Sequence, residues 1–164
     1  MIPSKHSVTW SIARYLQHLL GPFLREMTAP KTFHHEWDFI QKLYHYTYNQ
    51  RCLQPKTLFC TMKVGNFFTL AAHTPFIDAI VYFIQDNTVM NRVERVPVST
   101  IRNLLQLFLL NNIFCYDGKI YNITRGSPST IPLSTTLADM YLCQWQRKLE
   151  NDLTVKHELF GRSV

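Results

Sequence analysis

Apolar residues recur every three or four positions over much of this chain, which is the spacing of a helix with one buried face. The first such helix is predicted from about Ser7 to Leu20, with a short continuation towards Met27. The interruption is placed at Gly21-Pro22 because proline removes a backbone hydrogen bond and restricts the residue before it. Further helices are predicted over residues 33–48, 74–87, 101–111 and 132–150.

The composition of these helices predicts where they begin and which sides are buried. Thr74-Pro75 and Ser99 have the character of residues that start a helix. The helix over 101–111 is apolar nearly all round, which predicts burial on every side. In the helix over 33–48, Gln41 and Lys42 point to water, and one apolar face carries Phe33, Trp37, Ile40, Leu43, Tyr44 and Thr47.

Two other segments predict strands. Residues 58–68 are rich in β-forming side chains, with Gly65 as a bend. Residues 114–121 flank Asp117-Gly118 with aromatic residues and Ile, and this pair favours a two-residue type I′ hairpin turn. Residues 89–97 are predicted as a polar connection between helices. The order α, α, β, α, α, hairpin, α predicts an α+β fold with a small antiparallel sheet.

Composition and charge narrow the classes of protein. The 164 residues, 46% hydrophobic and 17% charged, suit one domain or a part of one. The net charge of +6 is compatible with nucleic acid or an anionic surface, although the basic residues are scattered. Four cysteines without a Cys-x-x-Cys pair predict buried, reduced thiols, with Cys60 and Cys115 in the core. We expect an intracellular protein, nuclear or cytoplasmic, with no membrane contact.

A glycine-containing loop, residues 124–130, leads into the last helix. Gly126 permits a sharp turn, and Ser127, Ser129 and Thr130 offer hydroxyls close to a helix N-terminus that favours anions. The same residues are also ordinary for a turn with helix caps. The spacing alone leaves both interpretations open.

The hairpin, this loop and the following helix together resemble the palm of reverse transcriptases, most closely the Penelope-like group of retroelements. The resemblance rests on residues 111–141, which match motif B, and on Met62-Lys-Val-Gly-Asn-Phe-Phe-Thr69, which is similar to motif A. Helices before motif A have counterparts in residues 7–43. The resemblance therefore covers about residues 7–150.

The resemblance implies a partial polymerase palm and fingers in residues 1–150, followed by a C-terminal tail, residues 151–164, in which fraying is expected. It implies that motif B lies near template and nucleotide, and that Phe68 occupies the place of an aromatic residue that screens the nucleotide sugar. The nucleic-acid or nucleotide contacts that follow are Phe68, Lys119, Arg125, Gly126, Ser127, Arg147 and Lys148.

Departures from the family pattern remove the polymerase chemistry. Two-metal phosphoryl transfer requires carboxylates, yet the motif A carboxylate position is Lys63, and no aromatic-x-Asp-Asp motif C follows motif B. The motif B glutamine position is Ile123, and the second loop glycine is Thr130. No catalytic residue, metal site or cofactor is therefore predicted; Mg²⁺ is expected only in an intact family member.

Some residues keep alternative interpretations. Lys63 is either an outward-facing residue on an edge strand, a phosphate contact, or a product of degeneration. His34-His35 is expected on a helix surface rather than at a metal, and His73 in a turn. Ser127 and Ser129 lack the surroundings of a nucleophile.

The function that these patterns favour is that of a truncated reverse-transcriptase-like domain without polymerase activity, which binds RNA or DNA without sequence preference. The alternative is a protein interaction module, in which a partner protein or a second copy covers exposed palm surface.

Overall fold

The computed structural model describes residues 8–163, apart from the side chains of Val8, Phe67 and Phe114. The described chain contains five α-helices and short strands, so the predicted α+β class is confirmed. The helices are α1 (Val8–Thr28), α2 (Glu36–Tyr44), α3 (His73–Asp86), α4 (Val98–Leu110) and α5 (Pro132–Val155). The strands are β1 (Thr32–Phe33), β2 (Arg92–Val93), β3 (Val96–Pro97), β4 (Ile113–Tyr116), β5 (Lys119–Asn122) and β6 (Arg162–Ser163).

The strands form three two-stranded sheets: parallel β1–β6, antiparallel β2–β3 and antiparallel β4–β5. Two compact units divide the chain: residues up to 27 with 65–145, and residues 28–64 with 146 onwards. The main core lies in the first unit, because α1, α3, α4 and the first turns of α5 each contribute an apolar stripe to it. Its largest fully buried side chains are Leu16, Leu20, Phe76, Ile80, Ile84, Ile101, Leu105, Phe108, Leu109, Leu133, Leu137 and Met140.

Helix α1 continues through Pro22, so the predicted interruption is wrong. Pro22 lacks the amide hydrogen that the helix would use, a loss of about 3 kcal/mol in a helix interior. Leu20 and Leu24 on either side are both buried in the same core, and this packing holds the two halves of the helix in line. Ser7, where the prediction begins this helix, lies outside the described residues.

The starts of α3 and α4 differ from the sequence prediction. Helix α3 begins at His73 after the N-cap Ala72, so Thr74 is not the cap. Helix α4 begins at Val98 after Pro97, so Ser99 lies inside the first turn. The prediction that α4 is buried all round is also wrong. Its inner face is fully buried, but Leu107 is 51% exposed and Leu110 56%.

The second unit has little interior of its own. Among its described residues only Thr32 and Tyr46 are buried. Helix α2 buries no residue, and Trp37, on the predicted apolar face, is 69% exposed. That face was expected against a core; a unit this small has too few neighbouring side chains to cover it.

Polar contacts hold this second unit together. Tyr46 donates its hydroxyl to a Glu158 carboxylate oxygen at 2.7 Å, and this hydrogen bond, together with burial, raises the pKa of Tyr46 to about 12. Lys31 pairs with Glu150. The last residues, for which the sequence indicates little periodicity, continue α5 to Val155, and Arg162–Ser163 then pairs with Thr32–Phe33.

The strand predicted over residues 58–68 is absent: residues 57–64 are irregular, and Phe67–Thr69 form one 3₁₀ turn. β-forming side chains stabilise a strand only when a neighbouring strand pairs with it, and none does here within the described chain. Cys60 is therefore exposed rather than in a core, and Cys115 is exposed as well. Lys63 is exposed in this segment and not on an edge strand.

The hairpin predicted around Asp117-Gly118 is confirmed. Cys115 pairs with Ile120, and Tyr116 with Lys119. Asp117 and Gly118 both have positive φ, +50° and +69°, as a type I′ turn requires. The predicted polar connection over 89–97 instead contains the small hairpin β2–β3, turning at Glu94 with φ +53°.

Within residues 8–163, no helix combines the length and the apolar character that a membrane crossing demands.

Candidate functional site

The glycine loop is fastened to the segment before α3. Gly126 has φ +65°, and its amide donates to the Ala71 carbonyl at 2.9 Å. The amide of Ser127 donates to the Phe68 carbonyl at 3.0 Å, and Arg125 forms an antiparallel bridge with Ala72. Residues 125–127 and 68–72 therefore form one connected structure within the first unit.

The two segments approach too closely for any side chain at position 126. A Cβ atom there would overlap the Phe68 carbonyl oxygen and lie 2.7 Å from the Phe68 carbonyl carbon. It would also lie 2.9 Å from Cα of Thr69. All three atoms are backbone, which cannot turn away as a side chain can. Gly126 is thus required both by its backbone conformation and by its surroundings.

His73 closes the same structure from the first turn of α3. Its Nε2 lies 3.1 Å from the Gly126 carbonyl oxygen, which can only accept, so Nε2 carries the hydrogen and donates. Burial lowers the pKa of His73, and the hydrogen bond to Gly126 opposes part of that shift. The ring is therefore a neutral, buried donor, and the prediction of a turn residue at position 73 is wrong.

This buried histidine predicts a pH-dependent stability. The pKa of His73 is lower in the folded chain than its ordinary 6.5, so the unfolded chain binds more protons below that pH. The contribution of His73 is complete above pH 6.5 and declines as the pH falls, by at most about 1.4 kcal/mol per pH unit. Between about pH 7.5 and about pH 5.5, urea unfolding should show a smaller loss of stability for His73→Gln than for the natural chain. The amide of the glutamine is neutral at both pH values and can still donate a hydrogen bond.

The exposed His34 supplies the control for removing one histidine. His34→Gln should lose as much stability as the natural chain over the same pH interval. An equal pH dependence in His73→Gln would contradict the assignment of His73 as a buried neutral donor.

A serine pair links the loop to α5. Ser134 donates to the Pro128 carbonyl at 2.6 Å, which leaves its oxygen to accept from the Ser127 hydroxyl, also at 2.6 Å. Both serines are buried. The amides of Gly126 and Ser127 and the Ser127 hydroxyl thus have partners inside the protein, and Ser129 and Thr130 remain exposed.

The structure brings together four of the residues that the sequence analysis assigns to nucleic-acid contact: Phe68, Arg125, Gly126 and Ser127. Of these, Arg125 is exposed and Phe68 half-buried. Lys119 lies close in sequence on the β4–β5 hairpin and is exposed. Arg147 and Lys148 belong to the second unit, where Arg147 is half-buried and Lys148 exposed.

Every described side chain of the β4–β5 hairpin is exposed. Side chains alternate between its two faces, so the cross-strand pairs place Tyr116, Lys119 and Tyr121 on one face. Tyr116 is 71% exposed and Tyr121 42%. We call these three residues the aromatic face. Sequence reasoning does not single out the two tyrosines, although the alternation on either side of Asp117-Gly118 indicates that they share a face with Lys119.

The other face of the hairpin is aliphatic. It carries Ile113, Cys115 and Ile120, with the polar Asn122 opposite Ile113 at the end of the hairpin, all of them exposed. Ile113 follows closely on the exposed Leu107 and Leu110 of α4. The hairpin therefore presents two chemically different surfaces to solvent.

No group of three or more His, Cys, Asp and Glu side chains within residues 8–163 is arranged to hold a metal ion. Searches among protein-family models, curated proteins and solved structures find no match to this chain.

Proposed function

We propose that this chain binds single-stranded nucleic acid without sequence preference, as a reverse-transcriptase-like domain that lacks polymerase activity. The observation that carries the proposal is the aromatic face of the hairpin, where two exposed tyrosines share a surface with a lysine. Bases of any sequence can stack on such rings, because every base has a flat π-face.

Charge supports the same function. Lys119 on the aromatic face and Arg125 after β5 are both exposed, and the whole chain carries a net charge of +6. Lysine and arginine contacts with phosphates release condensed counterions, which makes binding dependent on salt and independent of sequence.

In this proposal the loop has a structural role, and its backbone amides do not bind phosphate. The amides of Gly126 and Ser127 already donate to backbone carbonyls of the first unit. They fix the path of the chain from β5 to α5, and the exposed Arg125 side chain is left to contact phosphate.

Polymerase activity is left out of the proposal because of Lys63. In the family that the chain resembles, this position holds a carboxylate that binds Mg²⁺. An ammonium group donates hydrogen bonds only, and its charge repels a metal cation. Primer extension with Mg²⁺ is therefore expected to give no product, and template-dependent extension would contradict this part of the proposal.

The test is binding of a fluorescent single-stranded oligonucleotide measured by anisotropy. Tyr116→Ala/Tyr121→Ala should weaken binding by at least about tenfold, because stacking contributes about 1–3 kcal/mol per base. Lys119→Ala/Arg125→Ala should make the negative slope of log K against log salt shallower by about 1.4, since each phosphate contact to a single strand contributes about 0.7.

Matched controls come from exposed residues of the same unit. Tyr82→Ala removes a tyrosine that is 51% exposed on α3, and Arg92→Ala/Arg95→Ala removes two charges from the β2–β3 hairpin. Both controls should bind almost as the natural chain does. If the Arg92→Ala/Arg95→Ala variant made the salt dependence of binding as shallow as Lys119→Ala/Arg125→Ala does, binding would reflect net charge and not the hairpin.

The aliphatic face favours a second candidate function, protein interaction. Ile113 and Ile120 are 66% and 74% exposed, and exposed Leu107 and Leu110 precede them. A partner protein or a second copy could cover these side chains, as expected of an interaction module. Association that is insensitive to salt and lost in Ile113→Ser/Ile120→Ser would favour this function over nucleic-acid binding.

A further inference from the structure

A cleft of about 710 Å³ lies in the first unit, between one side of α1 and the residues that begin α5. Along α1 its lining runs from Trp10 to Arg25, a distance of about 22 Å at 1.5 Å per residue. Ile131, Pro132 and Leu133 line it from the other side. The cleft is therefore long and suits an extended occupant better than a compact one.

Positive charge is concentrated in this cleft. Arg14 and Arg25 line it together with His18, and no aspartate or glutamate between residues 8 and 163 does. All three side chains are exposed, and none forms an ion pair with any residue between 8 and 163. Two guanidinium groups without a carboxylate partner match an occupant with carboxylates of its own, because the planar fork of arginine binds a carboxylate with two parallel hydrogen bonds.

Gln17 adds a further donor that the protein itself positions. Thr136 donates its hydroxyl to Gln17 Oε1 at 2.9 Å, which turns the amide nitrogen Nε2 away from that partner. A Cβ at Gly21 would lie 3.1 Å from Nε2, so the missing side chain there leaves room for the amide. Within the described chain Nε2 has no acceptor, and it is available to a carbonyl or carboxylate of an occupant.

The rest of the lining is largely apolar. Pro22 and Pro132 offer exposed aliphatic surface between the charged groups, whereas Ala13, Ile131 and Leu133 are almost completely buried where they line the cleft. Such surface accommodates short aliphatic side chains and gains free energy from their removal from water. An occupant that alternates acidic and aliphatic residues would satisfy both components of the cleft.

We propose that this cleft is a docking site for an extended peptide segment of a partner protein that is rich in Asp or Glu and in aliphatic residues. Arg14 and Arg25 bind its carboxylates, Gln17 donates to its backbone or to a carboxylate, and the aliphatic lining receives its apolar side chains. The site is separate from the hairpin and does not depend on the proposed binding of nucleic acid.

The test is titration of the full chain with a synthetic heptapeptide that alternates Glu and Leu, followed by fluorescence anisotropy of a label on the peptide. A peptide with Lys in place of Glu should not bind. A third peptide with Ser in place of Leu should bind at least about tenfold more weakly, since it keeps the charge but loses the apolar contact.

Variants of the cleft then test the named residues. Arg14→Ala/Arg25→Ala and, separately, Gln17→Glu should each weaken binding of the acidic peptide by about tenfold or more, the first by removing the charges and the second by adding a repelling one. Arg92→Ala/Arg95→Ala removes the same charge elsewhere in the unit and should change the affinity less than about twofold. Circular dichroism and thermal unfolding establish that each variant is folded.

Three outcomes would overturn the inference. The first is no binding of the acidic peptide, and the second is an equal effect of the Arg92/Arg95 and Arg14/Arg25 pairs, which would indicate general attraction to a basic protein. The third is displacement of the peptide by a single-stranded oligonucleotide from the Tyr116→Ala/Tyr121→Ala variant, which would assign the cleft to nucleic acid. If that variant loses oligonucleotide binding but still binds the peptide, the docking site is independent of the proposed binding of nucleic acid.

Discussion

Gly126→Ala is expected to lower the free energy of unfolding by about 3 kcal/mol or more. A side chain at φ +65° costs roughly 1 kcal/mol relative to glycine. The new Cβ would also force the loop away from Phe68 and Thr69, and two backbone hydrogen bonds would be lost at about 1 kcal/mol each. Urea unfolding monitored by circular dichroism measures the change.

Gly118→Ala is the matched control, because Gly118 has nearly the same backbone angle, φ +69°, but no atom within 4 Å of an added Cβ. Gly118→Ala should lower the free energy of unfolding only by the cost of placing a side chain at positive φ, about 1 kcal/mol. Should both variants lose the same stability, the close contact between the loop and the Phe68–Thr69 backbone would be refuted. A difference of about 2 kcal/mol between them measures that contact.

Phe108→Ala should destabilise the chain by about 3–5 kcal/mol, a large part of the 5–15 kcal/mol that is usual for a folded domain. The Phe108 side chain on α4 is fully buried in the main core. Its removal forfeits the burial of a large apolar surface and leaves a cavity that the surrounding helices can fill only in part. The midpoint of urea unfolding should fall without a change in the slope.

Leu107 is the control for this prediction, since it is the preceding residue of the same helix and is 51% exposed. Leu107→Ala should change stability by about 1 kcal/mol or less, because alanine favours the helix and about half of the leucine side chain is already exposed. A loss above about 2 kcal/mol in Leu107→Ala would mean that this side of α4 is covered after all, by a second copy or by a partner.

The local features of the fold follow from the sequence. The hairpin could be predicted because Asp117-Gly118 meets a requirement of the turn itself, positive φ at two consecutive residues. The helices could be located because their apolar periodicity extends over several turns, and α3 and α4 lie within three residues of their predicted bounds. Errors at their first residues arise because a cap is decided by one or two backbone conformations.

The prediction of the strand over residues 58–68 failed for a different reason. Its side chains favour a strand, but a strand is completed by hydrogen bonds to a neighbour that no local pattern specifies. The prediction that the apolar face of α2 is buried was wrong for a similar reason. Trp37, Ile40 and Tyr44 have helical spacing, yet periodicity does not specify which side chains would cover them. Pro22 is the opposite case, in which core packing on both sides outweighed a local interruption of α1.

Within the candidate site, the loop and Lys119 could be predicted from the sequence, whereas the residues that surround them are known only from the structure. The hydrogen bond of His73 to Gly126 joins residues 53 positions apart, so neither residue reveals it alone. The cleft on α1 depends likewise on α5, since Thr136 orients Gln17 across 119 positions of sequence. Arg14, His18 and Arg25 could have been noticed as a basic side of one helix, but not as the lining of a cleft.

The sequence by itself determined the elements whose causes are local: the helical stripes and the type I′ turn. Only the tertiary structure decided which apolar faces are covered, which strand finds a partner and which polar groups of the loop remain available. The physical reason is that burial and hydrogen bonding are properties of pairs of segments, and the free energy of a pair depends on residues far apart in the chain.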